Sequence, residues 1–213
     1  MLRELNVDQF VNELSSVSPA PGGGSTAALA GSLAAALTSM VFNLTIDNKA
    51  GEDLSPEIIE EMKSARADML KVKTDFIDLL EEDTKSFNEF MAALKLPKTT
   101  DEEKAERKKV LDQAKQDITN TPEKIGKLGD KVWDAIELAN QYGNPGAVSD
   151  AGVAALMLDA SIKAAFLNVK INLPMVKDAD KKAVYVKTME DILAKSNQKV
   201  AQIYGSVSQK LDV

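Results

Sequence analysis

The stretch PAPGGGSTAALAGSLAAALTSMVFNLT, residues 19–45, decides the fold. It opens with proline and glycine, and no charged residue occurs from Gly22 to Ile46. Ser25 is a good N-cap, so we expect a helix from there to about Leu44. Small residues recur at every fourth position and would let a neighbouring helix approach closely. They are Ala27, Gly31, Ala35 and Ser39.

The absence of charge in this stretch allows two interpretations. Its length is enough to span a bilayer. Its composition is mostly Ala, Gly, Ser and Thr, which favours a buried central helix of a globular protein. The amino-terminal residues 1–14 lack the apolar core of a secretion signal, so we expect a cytoplasmic location.

The rest of the chain is predicted to be helical as well. Apolar residues never alternate with polar ones over a useful length, so no strand is expected. We therefore predict an all-α multihelical bundle in a single domain over residues 1–213, with over 70% helix. The expected helices cover residues 7–16, 25–44, 55–94, 100–119, 121–143, 149–173 and 178–211.

Two of these helices are long for a chain of 213 residues. The last would extend about 50 Å at 1.5 Å per residue, whereas a compact domain of this size has a radius of gyration of about 17 Å. Helices that extend past their own domain tend to bury the excess against a partner. We therefore expect a homo-oligomer, at minimum a dimer.

Composition excludes several kinds of chemistry. The chain has no cysteine and no histidine, which removes disulfides, zinc–cysteine sites, iron–sulfur clusters, thiol nucleophiles and the Ser-His-Asp mechanism. A formal charge of −7 argues against a general nucleic-acid binder. Catalysis near neutral pH must then come from Asp, Glu, Lys, Tyr, Ser or backbone dipoles.

Two features are candidate sites from the residues alone. The glycines Gly22, Gly23 and Gly24 with Ser25 let backbone pass close to a ligand at a helix start, where N–H groups attract anions; a flexible turn is the alternative. Asp83 falls within the apolar stripe of its helix, where a carboxylate is costly unless it is paired or functional. The structural alternative is an aspartate at the edge of the stripe that reaches solvent or pairs with a lysine.

A third feature is a polar line along the helix that follows Ser149. Asn168 and Asn172 lie one turn apart on that line, because residues four apart share a helix face. Their amides could bind the edge of a heterocycle or tie helices together, and both interpretations stay open. On the other side of the helix, Asp159 and Lys163 are predicted to form a solvent-facing pair.

Four segments in order resemble one enzyme family. After the glycine-rich stretch come EEDTKSFNEFMAALKLPKTTDEEKAERKK at 81–109, TPEKI at 121–125 and GNPGAVSDAGVAALMLDASIKAAFLNVKINL at 143–173. Together they resemble the cyclodeaminase/cyclohydrolase family of folate enzymes over about residues 5–178. Ser32-Leu33 replaces the more usual small residue after the second glycine of the motif, which we interpret as a packing variation.

The resemblance implies an all-helical fold with a helical hairpin used for dimerisation, and a reduced folate substrate, including polyglutamylated forms. It implies formiminotetrahydrofolate cyclodeaminase activity, with methenyltetrahydrofolate cyclohydrolase as the alternative; a non-catalytic helical scaffold is the alternative of a different class. Neither reaction needs a metal or a cofactor.

The resemblance and the residue pattern together indicate Asp83 and Asp150 as catalytic carboxylates. The glycines and Ser25 would hold the pterin or a tail carboxylate. Lys98 would bind the glutamate tail, with an ordinary surface lysine as the alternative, and Asn144 would line the pocket.

Overall fold

The computed structural model describes residues 1–212, and 85% of the chain is helical. No strand occurs in those residues, so the all-α prediction is confirmed. Short 3₁₀ turns join several of the seven α-helices. The helices are α1 (Val7–Leu14), α2 (Gly23–Ile46), α3 (Pro56–Leu94), α4 (Asp101–Asp130), α5 (Trp133–Tyr142), α6 (Val148–Asn172) and α7 (Ala179–Leu211).

A four-helix bundle of α2, α3, α4 and α6 forms the centre of the molecule. Helices α2 and α6 run antiparallel. The Ser161 hydroxyl donates to the Ala27 carbonyl at 2.7 Å, and the Asn144 N–H, just before α6, donates to the Thr45 hydroxyl at 2.9 Å. Gly23 at the start of α2 lies beside Asn168 near the end of α6, and Thr45 near the end of α2 lies just before the start of α6.

The predicted strip of small residues on α2 lies inside this bundle. Ala27, Ala35 and Ser39 are almost fully buried. At Gly31, an added Cβ would lie 2.5 Å from the ring of Phe76 on α3, so only glycine permits this approach. The strip is what brings α2 close to its neighbours, as the spacing predicted.

The start of α2 differs from the expectation. The helix begins at Gly23 with Gly22 as its N-cap residue, so Ser25 lies inside the first turn. Its hydroxyl does not cap the helix; it donates to Asp83 on α3 instead. The prediction of Ser25 as an N-cap was wrong because a tertiary partner competes for that hydroxyl.

Helix α4 also differs, because it continues through Pro122. Proline lacks the N–H that would donate to the carbonyl four residues earlier. That carbonyl belongs to Ile118, and it accepts a hydrogen bond from the Asn172 amide of α6 at 2.7 Å. Thr121 is therefore not an N-cap, and the expected boundary at residues 119–121 lies instead near Lys131, where α4 ends.

The long helices have the expected extents. Helix α3 contains 39 residues and α7 contains 33. Helix α7 packs on α6 and α4, and α5 packs mainly on α6. Two segments, α2 and Pro145–Met175, are long and apolar enough to cross a membrane by length and composition alone. Half of each apolar window is buried inside the fold.

Candidate active site

Asp83 meets the amino-terminal turn of α2. The Ser25 hydroxyl donates to the Asp83 Oδ2 atom at 2.8 Å and lies 3.0 Å from the Thr84 hydroxyl. Ser25 is fully buried, whereas Asp83 is half-buried. Two sequence candidates, the glycine run and Asp83, therefore form one site.

Gly24 makes this approach sterically possible. A Cβ at residue 24 would lie 2.5 Å from the carboxyl carbon of Asp83, closer than real Cβ atoms come to a neighbour. The first turn of a helix also leaves backbone N–H groups without intrahelical partners and carries a partial positive charge. The carboxyl group of Asp83 thus sits where α2 favours an anion.

Burial raises the pKa of the Asp83 carboxyl above its ordinary value of 3.8, and hydrogen bonds from the Ser25 hydroxyl and backbone N–H partly oppose that shift. Within residues 1–212, no lysine or arginine forms an ion pair with Asp83. The structural alternative of a lysine partner is therefore wrong. The Asp83 carboxyl group is therefore held in place by hydrogen bonds, and no lysine or arginine of the described residues pairs with it.

This raised pKa predicts a pH-dependent stability difference between the wild type and Asp83→Asn. Between 3.8 and the raised pKa, the folded state binds a proton that the unfolded state has lost, so wild-type stability falls as pH rises through that window. The variant lacks this penalty. Its stability relative to the wild type should therefore increase from acid to neutral pH in urea unfolding. A difference that is flat or falls with pH would contradict the burial argument.

Asn168 lies beside the same glycine run. Its amide nitrogen donates to the Ala164 carbonyl of its own helix at 2.9 Å. A Cβ on Gly23 would lie 3.2 Å from that amide nitrogen, so Asn168 contacts the loop closely. Of the two asparagines predicted on α6, Asn168 borders the candidate site.

Asn172 has a structural partner, because its amide satisfies the Ile118 carbonyl that Pro122 leaves free. We expect Asn172→Ala to lower the free energy of unfolding by about 1–3 kcal/mol, since the carbonyl loses its partner. Asn172→Gln, which keeps an amide, should recover part of the loss. Chemical denaturation of the three proteins measures this, and an Asn172→Ala protein as stable as the wild type would contradict it.

Asn144 and Asp150 lie at the opposite end of the bundle from Asp83. The Asn144 amide donates to the Leu44 carbonyl at 3.0 Å, and its carbonyl oxygen accepts from Gly146 N–H. The α2 segment from Ser25 to residue 44 spans about 29 Å at 1.5 Å per residue. Within this chain, then, the structure does not bring the two predicted catalytic carboxylates together.

Lys98 is exposed on the loop between α3 and α4, next to a basic groove. The groove consists of two adjoining cavities of about 230 and 210 Å³, which share Asp112, Lys115 and Lys177. The other cations along it are Lys98, Lys104, Arg107, Lys108 and Lys181. Lys98 could be predicted from the sequence but the groove could not, because the cations of the groove come from separate segments.

The TPEKI segment contributes a second polar cluster next to Asp83. Glu82 accepts hydrogen bonds from Lys124 at 2.6 Å and from the Thr121 hydroxyl at 3.2 Å. Along the axis of α4, Lys115 lies about 9 Å from Thr121. The basic groove therefore begins close to the level of the candidate site.

Comparison with known proteins decides the family. The model of the formiminotransferase-cyclodeaminase family matches residues 6–191. The chain belongs to this family. Methenyltetrahydrofolate cyclohydrolase of Methylorubrum extorquens is 32% identical over 97% of this chain and 97% of its own length.

Two further proteins are similar to this chain over almost its whole length. Formimidoyltransferase-cyclodeaminase of Rattus norvegicus is 30% identical over 98% of this chain, which spans only 38% of that protein. The crystal structure of formiminotetrahydrofolate cyclodeaminase from Thermotoga maritima matches with a TM-score of 0.77 and 25% identity, covering 99% of this chain and 98% of its own. The family fold therefore extends over nearly the whole chain.

Proposed function

We propose that this protein is a folate-dependent one-carbon enzyme, and that its activity is formiminotetrahydrofolate cyclodeaminase. The observation that carries the proposal is Asp83, an unpaired half-buried carboxyl with a raised pKa at the start of α2. A general acid–base group works best when its pKa is shifted toward the operating pH. The family membership and the cyclodeaminase structure that matches nearly the full chain support the folate substrate.

The proposed reaction is a proton-balanced ring closure. The N10 amine of the folate attacks the formimino carbon on N5, and a tetrahedral carbon between two nitrogens forms. The Asp83 carboxylate accepts the N10 proton and returns it to the departing amine, so that ammonia leaves and the methenyl cation remains. The carboxylate also offsets the cationic charge present throughout. The relay uses addition, elimination and proton transfer, so it requires no metal or redox cofactor.

Methenyltetrahydrofolate cyclohydrolase is the second candidate. The Methylorubrum relative with that name matches this chain over 97% of both lengths, which favours it specifically. In that reaction the Asp83 carboxylate would accept a proton from water as water adds to the methenyl carbon. One carbon–nitrogen bond then breaks as the carboxyl group returns its proton to that nitrogen, and the hydroxyl on the tetrahedral carbon loses its proton to solvent to give the formyl product.

Two assays separate the candidates. Incubation with 5-formiminotetrahydrofolate should release ammonia and raise the methenyl absorbance in equal amounts if the protein is a cyclodeaminase. Loss of methenyl absorbance above the spontaneous rate, with no ammonia from the formimino substrate, would select the cyclohydrolase. Failure to bind any reduced folate would overturn both in favour of the scaffold alternative.

We also propose that the basic groove binds the glutamate tail of polyglutamylated folates in a cytoplasmic homo-oligomer. Six lysines and Arg107 line the groove around Asp112, and such cations suit the carboxylates of a glutamate tail. The groove starts near the level of Asp83, so a folate whose pterin lies at the α2 turn would direct its tail along α4.

Charge reversal in the groove should affect long tails selectively. Lys177→Glu replaces an attraction by a repulsion, so we expect the KM for a polyglutamylated substrate to rise roughly two- to tenfold with kcat unchanged. The KM for the monoglutamate should change less. Lys187→Glu is the matched control, because Lys177 and Lys187 are similarly exposed and each has one aspartate neighbour. Equal KM effects of the two variants would contradict the tail assignment.

A further inference from the structure

The Ser25 hydroxyl lies between two polar partners on α3. It donates to the Oδ2 atom of Asp83 at 2.8 Å and lies 3.0 Å from the hydroxyl oxygen of Thr84. Ser25 is fully buried, so its hydroxyl is closed to solvent. Thr84 directly follows Asp83 on α3 and is half-buried. One buried hydroxyl group therefore links Thr84 to the candidate general base.

The number of available protons fixes the direction of these two hydrogen bonds. An ionised carboxylate only accepts hydrogen bonds, and a serine hydroxyl carries one proton. The Ser25 proton points to Asp83, so the proton between the two hydroxyl oxygens comes from Thr84. Whenever the carboxyl group is ionised, Thr84 therefore donates to Ser25, and Ser25 donates to Asp83.

The Thr84 side chain departs from the usual behaviour of threonine in a helix. A threonine hydroxyl there commonly donates to the backbone carbonyl four residues earlier. Thr74, on the same helix, does so with the Leu70 carbonyl at 3.2 Å. Among the hydrogen bonds of residues 1–212, the Thr84 hydroxyl instead has Ser25 as its partner. A tertiary contact with α2 therefore orients this side chain.

The contact also decides between two acceptors for the Ser25 proton. The carbonyl of Pro21, four residues earlier, is the acceptor that a serine in a helix commonly uses. A hydrogen bond received from Thr84 polarises the Ser25 hydroxyl, because hydrogen bonds in a chain strengthen one another, and this favours the ionised carboxylate as acceptor. The Oδ2 atom of Asp83 is then bound, whereas Oδ1 has no side-chain donor in residues 1–212.

We propose that Thr84 is a positioning residue: its hydroxyl directs the Ser25 proton to the Oδ2 atom of Asp83, so that the Oδ1 atom exchanges the proton with the folate. In the ring closure, the N10 proton moves to Oδ1 and leaves from Oδ1 with the departing amine, while the hydrogen bond from Ser25 to Oδ2 persists. The inference rests on the proposed acid–base role of Asp83. The effect of Thr84 on the ionisation of Asp83 can nevertheless be measured without substrate.

Titration of the Asp83 carboxyl carbon by carbon-13 NMR makes that measurement, with the signal assigned by its absence from Asp83→Asn. Thr84→Val removes a donor that strengthens the hydrogen bond to the ionised form, so we expect the titration midpoint of Asp83 to move to higher pH. Thr84→Ser keeps a hydroxyl and should retain the wild-type midpoint. Thr74→Val is the matched control and should also retain it, because the Thr74 hydroxyl bonds only the backbone of its own helix.

Steady-state kinetics of the same variants test the catalytic consequence. In Thr84→Val, the acid limb of kcat/KM should move to higher pH, which lowers kcat/KM on that limb about two- to tenfold, the usual effect of one hydrogen bond. Added to Ser25→Ala, the same substitution should change nothing further, because Thr84 acts through Ser25. Thr84→Ala serves if the valine variant does not fold, since alanine has the highest helix propensity.

The possible outcomes separate the role of Thr84 from the proposed function. A midpoint that Thr84→Val leaves unchanged, or that Thr84→Ser and Thr84→Val raise equally, would overturn the positioning role even if the wild type turns over folate normally. A wild type that turns over no reduced folate would instead overturn the proposed function, and with it the proton exchange at Oδ1 of Asp83.

Discussion

Asp83→Asn should lower the turnover of formiminotetrahydrofolate by about 10²- to 10⁴-fold, the usual contribution of a general acid–base group. The amide keeps the shape of the side chain and can still accept from the Ser25 hydroxyl, but it cannot take up a proton or balance a cation. No lysine or arginine pairs with Asp83 in residues 1–212, so the substitution leaves no buried cation without its partner. We therefore expect an inactive protein that remains folded and keeps its affinity for folate.

Asp68→Asn is the control for removing a carboxylate from α3, since Asp68 is exposed on the same helix. It should turn over substrate as the wild type does. Asp150→Asn is the companion variant, because Asp150 in the first turn of α6 is the other predicted catalytic carboxylate. Wild-type turnover in Asp83→Asn at saturating folate, with loss of turnover in Asp150→Asn, would transfer the acid–base role to Asp150.

Gly24→Ala should reduce activity nearly as strongly, through the position of Asp83. The added methyl group would overlap the carboxyl group of Asp83, so the carboxyl must leave the first turn of α2. A displaced general base loses most of its contribution, and we expect a fall of about 10²-fold or more in kcat. Helical propensity alone would stabilise the variant, since alanine favours helices over glycine by about 1 kcal/mol.

Gly205→Ala separates these two effects. Gly205 lies in α7 with no atom within 4 Å of an added Cβ, so the substitution should stabilise the helix and leave kcat unchanged. Steady-state kinetics and urea unfolding of both variants make the comparison. If Gly24→Ala were as active as wild type, the close contact between α2 and Asp83 would have no catalytic importance.

The location of Asp83 could be predicted because local pattern and tertiary contact agree. A carboxylate within the apolar stripe of α3 had to meet either a cation or a polar partner, and the helix start rich in glycine supplies the partner. The pattern could not identify Ser25 as that partner. The hydroxyl of a serine near a helix start serves equally well as an N-cap, and only packing decides between them.

The course of α4 could not be predicted from its own residues. Pro122 normally marks a helix start, and Thr121 before it looks like a cap. The helix continues because Asn172, fifty residues later, satisfies the carbonyl that the proline leaves free. The same contact explains why Asn172 looked like a ligand-binding residue: a buried amide requires a partner, and the sequence does not say whether that partner is protein or substrate.

The separation of Asp150 and Asn144 from Asp83 has a similar cause. The segments that resemble the family indicate which residues are candidates for one site. They do not indicate at which end of the helix bundle each residue lies. Since α2 and α6 run antiparallel, the start of α6 lies beside the end of α2, away from the glycine run. Only the antiparallel pairing of the two helices reveals this distance.

The pH dependence of kcat/KM for the wild type and for Asp83→Asn shows whether Asp83 transfers the proton, because this parameter reports ionisations of the free enzyme. We expect wild-type activity to fall on the acid side as Asp83 takes up a proton, with a midpoint above the ordinary carboxyl pKa of 3.8. The residual activity of Asp83→Asn should lack that acid limb, while ionisations of the substrate appear in both profiles. An identical acid limb in the two proteins would show that Asp83 is not the group that transfers the proton.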